Sequence, residues 1–407
     1  MSTRPALRPL DFQPVIYQGE QMWLLRDPLQ LSRQQLIFPP ALAQILVLID
    51  GSRDLEAIHT DFEEMIGDAV PPDLVTSTIA ELDVAFLLDN ERARAARLCH
   101  LEQYRAQPFR APSLAGLGYP SAVEELIAFF QAFEAQAAPS QLTGWQGRGI
   151  ISPHIDYQRG GPVYASVWRQ SHAALAEADL VLVLGTDHSG GPGTITLTTL
   201  PYATPFGVLP TEPDLVAQLA AAIGREQAFD LELNHRQEHS VELSAVWLHY
   251  IYHRLGKQPP PVIPILTGSF HHFVGNGHHP RQDESLTRFI ETLQAETTGR
   301  RVVVVASVDL AHVGPNFGDP FAMDARRRQQ LRESDGGLLR AISAGDHARF
   351  YDEISRANDR HRICGFSATY LMLRYLDGAQ GAVVAYEHCP ADEEDNSLVS
   401  ICGVLLD

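Results

Sequence analysis

Disulfide chemistry is the first thing this sequence withholds. Its 407 residues carry only four cysteines, Cys99, Cys364, Cys389 and Cys402, with no CxxC pair and no dense framework. That suits a reducing compartment and predicts free thiols. The stretch MSTRPALRPLDFQPVIYQ lacks the apolar core of a secretory signal, and no uninterrupted apolar run approaches the ~20 residues of a membrane-spanning helix. A cytoplasmic protein with no membrane partner is expected. Basic residues are outnumbered as well: 31 Lys and Arg face 50 Asp and Glu, a formal net charge of −19, which repels phosphate backbones and anionic lipid. Nucleic acid is therefore not an expected partner.

With 45% hydrophobic and 20% charged residues, the chain is globular in composition and long enough for two domains. Residues 1–100 read as the smaller. QMWLLRD and QQLIFP have strand character, PPALAQILVLIDG is an apolar helix ended by Gly51, and DLEAIHTDFEEMIG has helical spacing and stops at Gly67. PPDLVTSTIAELD opens a third helix behind Pro71 and Pro72, running into a short apolar strand, AFLLD. This order predicts a winged-helix-like domain. ILVLIDGSRDLEAIHTDFEE with LVTSTIAELDVAFLLDN resembles the small winged-helix peptide-binding domains related to the pyrroloquinoline quinone biosynthesis peptide chaperone (PqqD-like). The resemblance implies a peptide partner; a winged helix that only packs on its neighbour is the equal alternative. DNA binding is the least favoured use, because the third helix carries few basic residues.

Residues 101–113 complete a polar connector, and 114–407 form the second domain. There, apolar runs alternate with helical stretches: GRGIISP, DLVLVLGT, PPVIPILTG, RRVVVVASVD and SLVSICGVLL. Runs apolar on consecutive residues, such as Val302 to Val305, mark strands covered on both faces. The expected fold class is α/β, a central, largely parallel sheet flanked by helices, with chemistry at the strand carboxyl ends.

Three strand ends carry candidate residues. RGIISP leads to His154 and Asp156, LVLVLG to Thr186, Asp187, His188 and Ser189, and RVVVVAS to Asp309 and His312. A fourth group, NHRQEHSVE, reads as a helix start with His239 and Glu242 on one face and His235 just ahead. Imidazoles converging at such an edge can ligate a transition metal or move protons near neutral pH. Each histidine taken alone is more often a hydrogen-bonded turn residue, but three strand ends and a helix start together favour a site. The HH pairs in GSFHHFVGNGHHP read as solvated loop, with weak adventitious metal affinity the lesser reading; Cys364 in HRICGFSA reads as a buried inert thiol, the alternative being a pKa lowered at a helix N-terminus; and DEEDN reads as a solvated acidic loop that could border the site.

The ordered set IISPHIDY, LVLGTDHSG, YATPFG, EHSVE, VIPILTG, ASVDLAHVG and SLVSICGVL resembles the Memo family, from Gly118 to the C-terminus. That family includes protein B of bacterial and archaeal systems named for their AMMECR1-like, Memo-like and radical SAM members. The resemblance implies the fold of class III extradiol dioxygenases, with His154 and His188 as metal ligands and His239 as acid/base. Asp309 and His312 match a last motif, whose cysteine ligand is replaced here by Ala311. Either a carboxylate, with Asp187, Asp156 and Asp309 as candidates, completes a two-histidine, one-carboxylate triad, or the site has decayed. The triad would favour Fe(II), with copper or zinc as alternatives.

Two functions compete at this point. One is a metal-dependent oxidoreductase, or less readily a hydrolase, with metal at His154, His188 and Asp187 and catalytic groups at His239, Asp309 and His312. The other is a partner-binding scaffold with a vestigial pocket. Radical SAM and AMMECR1-like proteins are the expected partners of either.

Overall fold

The computed structural model describes all residues except 1–3, 33, 35, 138–143 and 276–277. It divides into two units, Met1–Gln107 and Pro108–Asp407. In the first, Gln18 and Gly19 both take left-handed φ, 53° and 84°, the turn that best matches strand twist in a two-residue hairpin. They join β1 (Asp11–Tyr17) to β2 (Glu20–Arg26), and β3 (Leu36–Phe38) completes an antiparallel sheet in the order β1-β2-β3. The remainder is helical: α1 (Pro40–Ala43), α2 (Ile45–Leu48), α3 (Leu55–Ile66), α4 (Leu74–Val84) and α5 (Glu91–Arg105). Asp54 accepts a hydrogen bond from the Ala57 N–H to cap α3, and left-handed Gly67 ends it.

This unit departs from the sequence reading in three places. β1 was not foreseen; it holds Pro14, which an edge strand tolerates. PPALAQILVLIDG forms two one-turn helices rather than one, with Ile45, Leu46, Leu48 and Ile49 all buried. AFLLD is not a strand: Phe86 takes a left-handed φ of 57°, and only Leu88 bridges, to Leu7.

The second unit begins with α6 (Val123–Gln136), β4 (Gly149–Ser152), α7 (Tyr157–Trp168), α8 (His172–Ala176), β5 (Leu180–Thr186) and β6 (Ile195–Leu197). A hairpin, β7 (Tyr202–Thr204) and β8 (Gly207–Leu209), precedes α9 (Pro213–Ile223), α10 (Arg225–Asp230), α11 (His239–Leu255), β9 (Val262–Thr267) and α12 (Glu284–Glu296). The unit ends with β10 (Val302–Ser307), β11 (His312–Val313), α13 (Ala325–Ser343), α14 (His347–Arg356), α15 (Phe366–Leu376), β12 (Gly381–Pro390) and β13 (Leu398–Leu406). The sheet order is β11-β13-β4-β10-β5-β9-β6, with β12 on the other side of β13. The four central strands, β4, β10, β5 and β9, run parallel, and the outer strands pair antiparallel.

The consecutive apolar residues of the central strands divide between two cores. Val302, Val304 and Ala306 of β10 face one core with α9, α12 and α15, while Val303 and Val305 face the other with α6, α7 and α11. This is the mixed α/β fold with helices on both faces that the strand composition implied. Among the described residues no helix is long and apolar enough to cross a membrane.

One close approach brings α11 onto the end of β5. A Cβ at Gly185 would lie 2.6 Å from Ser240 Oγ and 2.7 Å from Val241 Cγ2, so only glycine lets the first turn of α11 sit there. Gly185→Ala should therefore cost about 1–3 kcal/mol, the usual range for overpacking. A lower urea midpoint for the second unit is expected; an unchanged midpoint would show that the α11 start yields without strain.

Candidate metal centre

His154 follows β4 by two residues, His188 follows β5 by two, Asp309 follows β10 by two, and His239 opens α11. The parallel arrangement of β4, β10 and β5 places these three strand ends on one edge. His154, His188 and His239 present donor atoms that all lie within 4.8 Å of one another. The His188 and His239 rings stack, centroids 4.7 Å apart, and His154 meets them edge-on at 5.0 and 5.4 Å. The His154 side chain is buried, whereas those of His188 and His239 are 38% and 39% exposed. The cluster is thus rooted in the core and open to solvent on one side.

Hydrogen bonds orient the rings. His154 Nδ1 lies 2.9 Å from the Ser307 carbonyl oxygen; a carbonyl only accepts, so Nδ1 carries the proton and Nε2 is left for the cluster. Glu238 does the corresponding work for the other two. Its buried carboxylate lies 3.0 Å from His188 Nδ1 and 3.2 Å from His239 Nδ1, and it accepts from the backbone N–H groups of His188 and Ser240. A carboxylate behind an imidazole, with the far nitrogen free, is a recurrent outer partner of metal-binding histidine.

A thiol completes the group. Cys364 Sγ lies 3.1 Å from His154 Nε2. This thiol comes from the loop that leads into α15, a different segment from the one that carries Ala311. Ala311 is buried in the core, with its backbone N–H on Ser400 Oγ. The reading of Cys364 as an inert buried thiol is overturned by its half-buried position against His154.

The electrostatics follow from this packing. Burial by itself would raise the Cys364 thiol, but His154 and His188 draw it down to about 5. Burial works against a charged His154, yet Cys364 and Asp309 raise its pKa to about 9. Burial also opposes a charged His188, and Glu238 outweighs it, so this imidazole is raised well above its usual value. His239 goes the other way: burial lowers it to about 4, which leaves it neutral at neutral pH and able to accept a proton.

The other candidate residues take different places. Asp309 supports the site: its Oδ1 accepts from the backbone N–H groups of His154 and Ile155, and its Oδ2 lies 3.7 Å from His154 Nε2. His312, on β11, turns Nδ1 toward the Leu310 carbonyl at 3.3 Å and its ring toward Phe317; it lies outside the three-imidazole group but close enough to help lower Cys364. Asp187, expected as a metal ligand, is instead bound by Asn234 Nδ2 at 2.9 and 3.0 Å, and burial raises it to about 6. Asp156 caps α7 and pairs with Arg159, while the Ser189 N–H donates to Asp187. Glu242 lies one turn beyond His239 but is tied to Arg110, and His235 is held between Tyr202 and Thr196. His271 pairs with Asp359 while staying largely solvent-exposed, and His279 caps a short turn; residues 276–277 lie outside the described set. Sequence reasoning missed Glu238 and, although it singled out Cys364, did not bring that thiol to the histidines. The signals were a glutamate directly before His239 and a Cys-Gly step before an apolar helix.

The low thiol pKa is testable in metal-free protein. A lowered pKa keeps the thiolate populated at every pH above about 5, whereas an ordinary thiol loses it below about 8.5. Cys364 should therefore alkylate with iodoacetamide at an almost constant rate from pH 8 down to about 6. His154→Ala should slow the pH 6 reaction by tenfold or more, and equal rates in the two proteins would refute the imidazole–thiolate pair.

Comparison with known proteins agrees with this architecture. The family described as Memo-like protein matches residues 110–405. A MEMO1 family protein of Aquifex aeolicus is 27% identical over 413 residues, covering 99% of each chain. One from Thermus thermophilus is 30% identical over 346 residues, covering 82% of this chain and 93% of its own. An Archaeoglobus fulgidus relative is 25% identical over 301 residues, covering 73% of this chain and 98% of its own. With a family match over most of its length and relatives at this level, the chain belongs to the Memo-like protein family.

Proposed function

We propose that this protein is a metal-dependent oxidoreductase, with a divalent transition metal held by His154, His188 and Cys364 and with His239 as the proton acceptor. The observation that carries the reading is the meeting of three imidazoles and a thiol at one edge of the sheet, two of the rings reached by solvent. The donor chemistry fits a metal: two nitrogens freed by Nδ1 partners and one sulfur already drawn toward thiolate. A metal bound there would supply Lewis acidity and, for Fe(II) or copper, access to O2 chemistry. With Asp187 engaged by Asn234, the argument for Fe(II) from a carboxylate donor is replaced by a softer set that copper and zinc also accept. His239, neutral and half-exposed, takes a proton from substrate, and Glu238 stabilises the imidazolium that results. Asp309 holds the His154 loop, and His312 biases the thiol. Four free thiols favour a reducing, cytoplasmic location.

A second reading is a partner-binding scaffold, favoured by one feature of the first unit. A groove of about 570 Å³ runs between the edge strand β3 and α4, lined by Gln34, Leu36, Ala80, Glu81 and Val84. An open strand edge beside an apolar helix face suits an extended peptide, and the Aquifex relative, aligned over 99% of both chains, shares this unit. We place the peptide partner here, and radical SAM and AMMECR1-like proteins as the components acting with the second unit.

Metal analysis of untagged protein decides between the readings. Near-stoichiometric metal is expected, falling at least tenfold in His154→Ala, His188→Ala and Cys364→Ala and persisting in His239→Gln. Loss in His239→Gln would make His239 a ligand rather than a base. Absence of metal from wild type after anaerobic Fe(II), Zn(II) and Cu loading would leave the scaffold.

A further inference from the structure

Beneath the turn that carries Glu238 and His239 lies a guanidinium outside the metal reading. Arg110 is 1% exposed. Its Nε donates to the His235 carbonyl at 2.8 Å, and Nη2 donates to the Glu238 carbonyl at 2.9 Å and to Ser113 Oγ at 3.3 Å. Nη1 pairs with the Glu242 carboxylate, and the guanidinium stacks on Tyr202 with its central carbon 4.9 Å from the ring centroid. Glu242 is itself saturated: it accepts from Ser113 N–H, Ser113 Oγ and Leu114 N–H at 2.8 Å each and from Tyr119 OH at 2.6 Å.

A buried ion pair of this kind adds little net stability over an apolar pair of similar volume, so its worth is to be sought in what it places. Arg110 ties down the carbonyls of residues 235 and 238, at either end of the segment leading into α11. Fixing the Glu238 carbonyl fixes the peptide plane between Glu238 and His239, with ψ of Glu238 at 126°. From that backbone the Glu238 carboxylate reaches His188 Nδ1, the His188 N–H and the Ser240 N–H together. Glu242 holds the fork of Arg110 from the next turn of the same helix, so the turn and the helix are clamped by one group.

We propose that Arg110 and Glu242 are a positioning pair for the metal centre. They set the turn from which Glu238 accepts the Nδ1–H of His188, leaving His188 Nε2 directed at the donor cluster. The consequence for metal affinity rests on the metal-dependent reading above; the hydrogen bond from His188 to Glu238 does not.

The test uses the full chain as R110M/E242Q, which removes both buried charges together, and as R110K, which keeps a charge opposite Glu242 but loses the planar fork. In metal-free protein labelled with 15N-histidine, wild type should show a low-field Nδ1–H resonance from His188, identified by its loss in H188Q and slow to exchange with water. In both variants that proton is expected to exchange at least tenfold faster while thermal unfolding remains cooperative. Titration with Co(II) alone should show affinity falling about tenfold, the lower end of what loss of an outer partner causes. Should R110M/E242Q fail to fold, R110K carries the same two readouts. A folded variant with wild-type exchange and wild-type Co(II) affinity would overturn the proposal and make Arg110 a core residue only. If wild type takes up no Co(II), the metal reading fails, and the exchange rate alone still upholds or refutes the positioning pair.

Discussion

Everything at the strand ends depends on one buried carboxylate. Glu238 has four polar neighbours from two separate segments: the backbone and ring of His188, the ring of His239 and the amide of Ser240. A desolvated carboxylate is costly unless each lone pair finds a donor. Burial alone would raise its pKa, but the imidazoles of His188 and His239 keep it well below the usual carboxylate range. Satisfying Glu238 therefore dictates that the loop after β5 and the start of α11 come together. The stacking of the two imidazoles is a consequence of that requirement.

The rest of the second unit gives this contact a rigid seat. Strands buried on both faces fix where each chain emerges from the sheet, and the emergent residues, His154, His188 and Asp309, all stand at the same offset from their strands. Close-packed interiors transmit strain rather than absorb it, so Gly185 and the Arg110 clamp matter although neither belongs to the donor cluster. Ser307 and Asp309 repeat at the end of β10 what Glu238 does ahead of α11: acceptors that hold backbone or ring N–H groups so that a nitrogen faces the cluster.

The sheet, its helical cover and the three histidines of the cluster were legible because they leave local marks. Val302–Val305 is apolar on consecutive residues, and His154 and His188 sit just past such runs. Cys364 was not legible, since its partner His154 lies 210 residues away in sequence and nothing in HRICGFSA records that proximity. The surroundings of Asp187 were hidden for the complementary reason: Asn234, which donates to its carboxylate, lies nearly fifty positions later. In the first unit, β1 was hidden by Pro14, and AFLLD lost its strand to the left-handed turn at Phe86. Short-range pattern reports periodicity well and reports pairing between distant segments hardly at all.

The long sequence separation between His154 and Cys364 also constrains how the centre comes into being. During synthesis the two imidazoles that follow β4 and β5 leave the ribosome well before the thiol does, and contacts between remote segments form late because they carry a large loop-closure entropy. Unlike a zinc finger, whose neighbouring ligands gather an ion and fold around it, this centre cannot nucleate its own domain. The scaffold must first be nearly whole, and an ion bound as proposed would then enter through the solvent-open side, which would make metal loading the last event in maturation and one that a cell could supply or withhold separately from folding.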